Sequence, residues 1–164
     1  MIKIGKDLSK FLIYSCRPTS REELKEIVNE RISKLVPNCD LNDIDVSLIN
    51  DMSYLFYESD FNGNISCWDV SHVEDMWGMF ACSKFNGDIS NWDVSKVIYM
   101  NEMFTESEFN QDISKWDVSN VKNMISMFRE SKFNQNISNW KISKDCNISK
   151  MFYKCPIRKE HKPR

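Results

Sequence analysis

The sequence predicts an α/β solenoid, and three observations lead to this fold class. A 24-residue period without insertions is visible in the spacing of Phe61, Phe85, Phe109 and Phe133. Tryptophan recurs with the same 24-residue spacing at Trp68, Trp92, Trp116 and Trp140. Of the 164 residues, 41% are apolar and 12% aromatic, which is enough for one hydrophobic core. Repeats of this size bury their apolar side chains only by stacking on one another, which favours a solenoid.

The repeating unit reads F-N-[GQ]-[DN]-I-S-x-W-D-V-S-x-V-x-x-M-x-x-M-F-x-x-S-x. A degenerate first copy begins at Pro37, where Leu41, Ile44 and Phe56 fall in phase with the later copies. The chain therefore contains five units, here called units 1 to 5, which span residues 37–60, 61–84, 85–108, 109–132 and 133–156.

The first half of each unit predicts a short strand. The spacing Ile89-x-x-Trp92-x-Val94 in unit 3 is the L-x-x-L-x-L pattern of a leucine-rich repeat, whose strands form a parallel sheet. The second half, Val97-x-x-Met100-x-x-Met103-Phe104, has apolar residues at three- and four-residue spacing. This spacing predicts a short helix or 3₁₀ turn on the convex side, behind the strand.

Asparagine occupies one corner position of every unit. Its side chain can hydrogen-bond the backbone of an adjacent unit, so a column of stacked asparagines would satisfy polar groups that stacking buries. We predict this ladder at Asn38, Asn62, Asn86, Asn110 and Asn134.

The flanking segments are predicted to cap the repeats, because a solenoid cannot leave its end units exposed. In the N-terminal segment 1–36, Thr19 and Glu22 form a capping box that opens a helix over about 20–36. The apolar stripe expected to cover unit 1 consists of Leu24, Ile27, Val28, Ile32 and Leu35. At the other end, the basic tail 157–164 is expected to be frayed.

The run F-N-[GQ]-D-I-S-x-W-D-V-S-x-V-x-x-M-x-x-M-F resembles the repeat of BspA-type leucine-rich-repeat proteins, in the variant also found in mycoplasma lipoproteins. The resemblance covers residues 37–156. It implies a right-handed solenoid with a parallel sheet. It also implies adhesion or other protein–protein binding, often at the cell surface.

Composition excludes several classes of function. The longest apolar run, 11–14, is far shorter than the roughly 20 residues of a membrane-spanning helix, and we expect a cytoplasmic protein without a membrane span. Export without a signal peptide stays open. The six cysteines lack the paired spacing of a zinc site and are expected to be free thiols. Without a unique nucleophile–base pair or a phosphate-binding glycine motif, we expect no enzyme activity, cofactor or small-molecule substrate.

The formal net charge of −2 hides a strongly acidic middle. Residues 37–132 carry 17 acidic and 6 basic side chains, whereas residues 133–164 carry 2 and 8. We predict that the outward-pointing residues of the concave sheet and one variable aromatic residue bind a partner: Asp45, Asp69, Asp93, Asp117, Cys67, Asn91, Lys115 and Trp77. The repeated aspartates have two interpretations, which can hold together: each accepts backbone N–H bonds in an Asx turn, or the column attracts a basic partner.

These observations predict a protein-binding module that is monomeric rather than oligomeric and whose partner has a basic surface. One alternative is a small intracellular inhibitor that blocks the basic groove of a nucleic-acid-handling protein by acidic mimicry, without itself binding nucleic acid. A second alternative is a structural protein that self-assembles through its end units.

Overall fold

The structure, a computed structural model, describes residues 14–163. Within this range it has one α-helix, α1 (Arg21–Lys34), one 3₁₀ helix (Lys159–His161) and no β-strand. Neighbouring segments pair only through isolated parallel bridges of single residues, such as Asp75 with Tyr99. The predicted α/β solenoid is therefore wrong. The described residues are mostly turns and loops packed around a cluster of aromatic side chains.

The predicted strand is absent because its apolar spacing closes a turn. The N–H of Trp92 donates to the carbonyl of Ile89 at 3.2 Å, and the N–H of Val97 donates to the carbonyl of Val94 at 3.0 Å. These bonds to the third residue before bring the two apolar side chains of each pair onto the core side of a β-turn. A leucine-rich-repeat strand and this turn therefore share the same sequence spacing.

The predicted convex helix is absent because each unit contains two left-handed residues, four positions apart. In unit 3 these are Glu102, with φ of 57°, and Glu106, with φ of 54°. A left-handed residue interrupts a right-handed helix as well as a strand. The segment instead makes successive turns, in which Met103 N–H donates to Met100 and Thr105 N–H donates to Glu102.

Main-chain hydrogen bonds connect each unit to the next one. In unit 2, the N–H groups of alternate residues donate to the carbonyls of unit 3 at 2.8–3.0 Å; the donors are Met76, Gly78, Phe80 and Cys82. The same four bonds leave units 1, 3 and 4 from the corresponding positions, each to an acceptor 23 residues further along the chain. These rows of donors hold consecutive units in register.

Aromatic columns fill the space inside the units. Phe104 has no exposed surface and stacks on Phe80 and Phe128 of the neighbouring units, with ring centroids 5.6 Å away in both cases. Phe104 also stacks on Phe109, the first residue of unit 4, with ring centroids 4.2 Å apart. The repeated tryptophans close a further side of the core, where the indole N–H of Trp92 donates to the carbonyl of Ile65 in the preceding unit.

The asparagine ladder is confirmed for four of its five members. The side-chain oxygen of Asn62 accepts the N–H of Asn86, Asn86 accepts that of Asn110, and Asn110 accepts that of Asn134, each at 2.8 Å. Asn134 accepts the N–H of Arg158. At the first position, the N–H of Asn62 donates to the carbonyl of Pro37 instead of to an asparagine side chain.

Helix α1 packs against unit 1, with Leu24 and Val28 fully buried. Its N-cap is Ser20, which accepts the N–H of Glu23, so the predicted capping box is one residue too early. Leu35 was expected in the apolar stripe but is 57% exposed, because it lies beyond the end of α1.

Cationic side chains of α1 form hydrogen bonds and an ion pair with unit 1. Arg21 donates to the carbonyl of Ser53, and Lys25 donates to the carbonyl of Tyr54. Arg31 forms an ion pair with Asp43 at 2.9 Å. Residues 1–13 of the predicted N-terminal segment, with most of the apolar run 11–14, lie outside the described residues.

Residues 157–163 of the basic tail pack on unit 5, so the expectation that this segment is frayed is wrong, and Arg164 lies outside the described residues. Ile157 takes the position that phenylalanine holds at the start of units 2 to 5, and it is 5% exposed. The carbonyl of His161 accepts the N–H of Ile137, which joins the 3₁₀ helix to unit 5.

We predict that Phe104→Ala destabilises the protein by about 3–5 kcal/mol, because it leaves a cavity between stacked rings. Urea unfolding followed by circular dichroism measures this free energy. Tyr153→Ala is the control, since Tyr153 is 50% exposed and its loss is expected to cost less than about 1 kcal/mol. Equal effects of the two substitutions would contradict the described core.

Two asparagine substitutions separate the ladder from the exposed surface. Asn86→Ala removes the acceptor of the Asn110 N–H and is expected to cost about 1–3 kcal/mol. Asn91→Ala changes an exposed side chain and is expected to stay within about 0.5 kcal/mol of the wild type. Urea unfolding measures the free energy of unfolding of both variants. Faster hydrogen exchange of the Asn110 amide in Asn86→Ala would show that the loss of stability arises at the broken ladder bond.

Candidate protein-binding surface

The repeated aspartates form Asx turns. In unit 3 the carboxylate of Asp93 accepts the N–H of Ser95 at 3.0 Å, because a short carboxylate side chain reaches the backbone two residues ahead. The equivalent bond from the serine two residues on is present at Asp45, Asp69 and Asp117. This confirms the Asx-turn interpretation of the column.

Two further sets of Asx turns occur in the units, and neither was predicted from the sequence. One set precedes the turn that contains the repeated tryptophan and consists of Asp40, Asn64, Asp88, Asp112 and Asn136. The other lies at the position of the parallel bridges and consists of Asp51, Asp75, Asn123 and Asn147. The signal was the recurrence of Asp or Asn at the same position of successive units.

Hydrogen bonding within the turn lowers the pKa of four of the aspartates, Asp88, Asp93, Asp112 and Asp117. The side chain and then the N–H of Ser95 lower the pKa of Asp93 and outweigh the opposing effect of the Asp117 carboxylate. The N–H and then the side chain of Ser90 likewise lower the pKa of Asp88, although the charge of Asp112 acts in the other direction. For Asp88 and Asp93, the repulsion from the aspartate of the next unit is therefore smaller than the stabilisation that the carboxylate receives from its own turn.

Asp45 differs from the other members of its column. It forms an ion pair with Arg17 at 3.1 Å, and its side chain is only 15% exposed. Asp69, Asp93 and Asp117 are exposed and form no ion pair within residues 14–163. These three residues are called the acidic column below.

The other residues predicted for this face are exposed. Lys115 acts electrostatically on Asp88 and Asp112, whose pKa values it helps to lower. The N–H of Cys67 donates to the side chain of Asn42, and Cys67 and Asn91 both lie at the surface. Because no sheet is present, these residues lie on turns instead of on a concave sheet.

Trp77 lies apart from the acidic column, beside a groove of about 420 Å³. It is 41% exposed, whereas the four repeated tryptophans are at most 4% exposed. No residue of the acidic column is part of the groove, whose lining is Asp75, Trp77, Tyr99, Asn101, Glu102, Asn123 and Ile125. The structure therefore separates Trp77 from the aspartates with which it was predicted to bind.

The six cysteines, all within residues 14–163, are free thiols. In that part of the chain no three or more His, Cys, Asp or Glu side chains are arranged to hold a metal ion. No helix there has both the length and the apolar character needed to cross a bilayer.

The repeats, their asparagine ladder and their Asx turns define a repeat protein of 24-residue units. Residues 23–108 and 105–161 match the family described as "Mycoplasma protein of unknown function, DUF285". The chain belongs to this family. The comparisons with curated proteins and with solved structures found no match.

The lowered pKa values give a test of the turns by pH. A carboxyl whose folded-state pKa lies below its unfolded value stabilises the protein above the unfolded pKa, near 4, and this contribution is lost as the pH falls through the folded pKa. We predict that the melting temperature of the wild type falls more between pH 6 and pH 3 than that of a variant with four Asp→Asn substitutions, at Asp88, Asp93, Asp112 and Asp117.

The four asparagines retain an acceptor for each turn, as Asn64 and Asn136 do in the wild type, so only the titrating charge is removed. Calorimetric melting at several pH values makes the comparison. Parallel melting curves for the two proteins would show that these carboxylates titrate as in an unfolded chain.

Proposed function

We propose that the chain is a non-catalytic protein-binding module whose acidic column attracts a partner with a basic surface. The observation that carries the proposal is the exposure of three aspartates, in equivalent turns of three consecutive units, none of which forms an ion pair within the described residues. Charges arranged in this way accelerate association with an oppositely charged surface and select against like-charged ones.

The overall charge supports the same proposal. Units 1 to 4 carry 17 acidic and 6 basic side chains, so this part of the chain has a strongly negative net charge. The resemblance of the repeat to BspA-type proteins, for which adhesion or protein binding is expected, gives independent support.

The substitutions Asp69→Asn, Asp93→Asn and Asp117→Asn test the proposal together. Proteins retained by the immobilised chain are first identified, and the affinity of each purified partner is then measured by calorimetry at several salt concentrations. We expect the triple variant to lose about 1–2 kcal/mol of binding free energy, or roughly fivefold to thirtyfold in affinity. The dependence of its affinity on salt should also be weaker.

A matched control removes three carboxylates that lie elsewhere, by Glu26→Gln, Asp60→Asn and Glu108→Gln. Its net charge equals that of the triple variant, and its affinity should stay near that of the wild type. Unchanged binding by the triple variant, equal losses in both variants, or partners without a basic surface would each overturn the proposal. Circular dichroism verifies that both variants are folded.

A further inference from the structure

The groove beside Trp77 is a second feature of the surface, and it combines aromatic rings with carboxylates. Tyr99, on the adjacent unit, is 46% exposed and lines the same groove. A large aromatic side chain occurs at this position in unit 2 alone, since the equivalent residues of the other units are Ser53, Asn101, Ile125 and Ser149. The groove is therefore a property of one place on the molecule and is not repeated along it.

Local contacts hold the Trp77 ring in place. Its centroid lies 5.4 Å from that of Tyr54, and its indole N–H donates to the carboxylate of Glu102 at 3.4 Å. Tyr54 lies directly over Gly78, which has φ of +58°, and a Cβ at this glycine would come within 2.5 Å of the tyrosine ring. The absence of a side chain at Gly78 thus lets Tyr54 support Trp77, which reduces the freedom that Trp77 would lose on binding a ligand.

The charge of the groove is negative. Asp75 and Glu102 line it, no basic side chain does so, and neither carboxylate forms an ion pair within the described residues. Burial, followed by the charge of Asp51, raises the pKa of Asp75. Burial also raises the pKa of Tyr54, with Glu102 and Asp75 adding to the effect. Burial acts against a charge of either sign, whereas the contributions of the neighbouring carboxylates act against negative charge and favour a cation.

We propose that this groove binds an arginine side chain of the basic partner, an inference that rests on the proposed function. A guanidinium group is planar, stacks on the faces of indole and phenol rings, and donates in a fork to a carboxylate. Trp77 and Tyr99 supply the rings, and Glu102 supplies the carboxylate. A lysine ammonium is more strongly hydrated and cannot stack, so arginine fits the groove better than lysine.

The probe for this site is a tetra-arginine peptide, which needs no identified partner. Titration is followed by the indole ¹H–¹⁵N resonance of Trp77. The other four indoles are buried and donate to backbone carbonyls. We expect a saturable shift of the Trp77 resonance, and an affinity for tetra-arginine at least about threefold higher than for tetra-lysine of equal charge.

Three variants test the assignment. Glu102→Gln should weaken binding of tetra-arginine about fivefold, whereas Glu26→Gln on α1, with the same change in net charge, should leave it unchanged. Trp77→Ala should weaken it about fivefold or more, measured at the backbone N–H of Asn101. Glu102→Gln keeps every ring of the groove, so the result for this variant stands even if Trp77→Ala fails to fold.

Equal affinities for the two peptides, equal losses in Glu102→Gln and Glu26→Gln, or a shift of the Trp77 resonance by maltotriose but not by tetra-arginine would each overturn the inference. The last result would identify a neutral sugar as the ligand. If the inference about the groove fails, the proposed function is still tested by the triple aspartate variant, because that measurement does not involve the groove.

Discussion

The hydrogen bonds between equivalent positions of neighbouring units are the interaction on which the rest of the structure depends. In each row, alternate N–H groups donate to carbonyls 23 residues further along the chain. Because such groups are costly to bury without partners, an inserted or deleted residue would leave one row unpaired. The constant period of 24 residues, the stacking of the phenylalanine rings and the asparagine ladder all follow from keeping these rows aligned.

The Asx turns make the backbone conformation independent of the charge at these positions, because asparagine and aspartate form the same turn. Asn64 and Asp88 occupy equivalent positions of units 2 and 3, and both accept the N–H of the residue two positions ahead. The turn therefore forms with either side chain, while only aspartate adds a negative charge. This equivalence means that the charge of each turn can be chosen without altering the fold, and units 2 to 4 carry aspartate at all three positions of the acidic column.

Sequence reasoning predicted the features that depend on side-chain chemistry and missed those that depend on backbone conformation. The period, the buried phenylalanine columns and the ladder from Asn62 to Asn134 follow directly from residue identity. The sheet was wrongly predicted because the Ile89-x-x-Trp92 spacing suits a turn as well as a strand. Left-handed backbone at residues such as Glu102 gave no signal, because among the left-handed positions of residues 14–163 glycine, which usually marks that conformation, occurs only at Gly78. Trp77 was predicted to be variable, but nothing in the sequence indicated that its groove excludes the acidic column.

The direction of the donor rows has a consequence for how such genes can change. Each unit donates backbone N–H groups to the carbonyls of the next unit and accepts the equivalent bonds from the unit before it. For example, the N–H of Met76 donates to Tyr99, and the N–H of Met100 donates to Asn123. An in-frame duplication or loss of one complete unit therefore joins surfaces that already fit, and the rest of the chain needs no compensating substitution. The chain can therefore change in length by whole repeats, and a side chain such as Trp77 is gained or lost with its repeat, whereas the groove beside it also needs residues of the next two units.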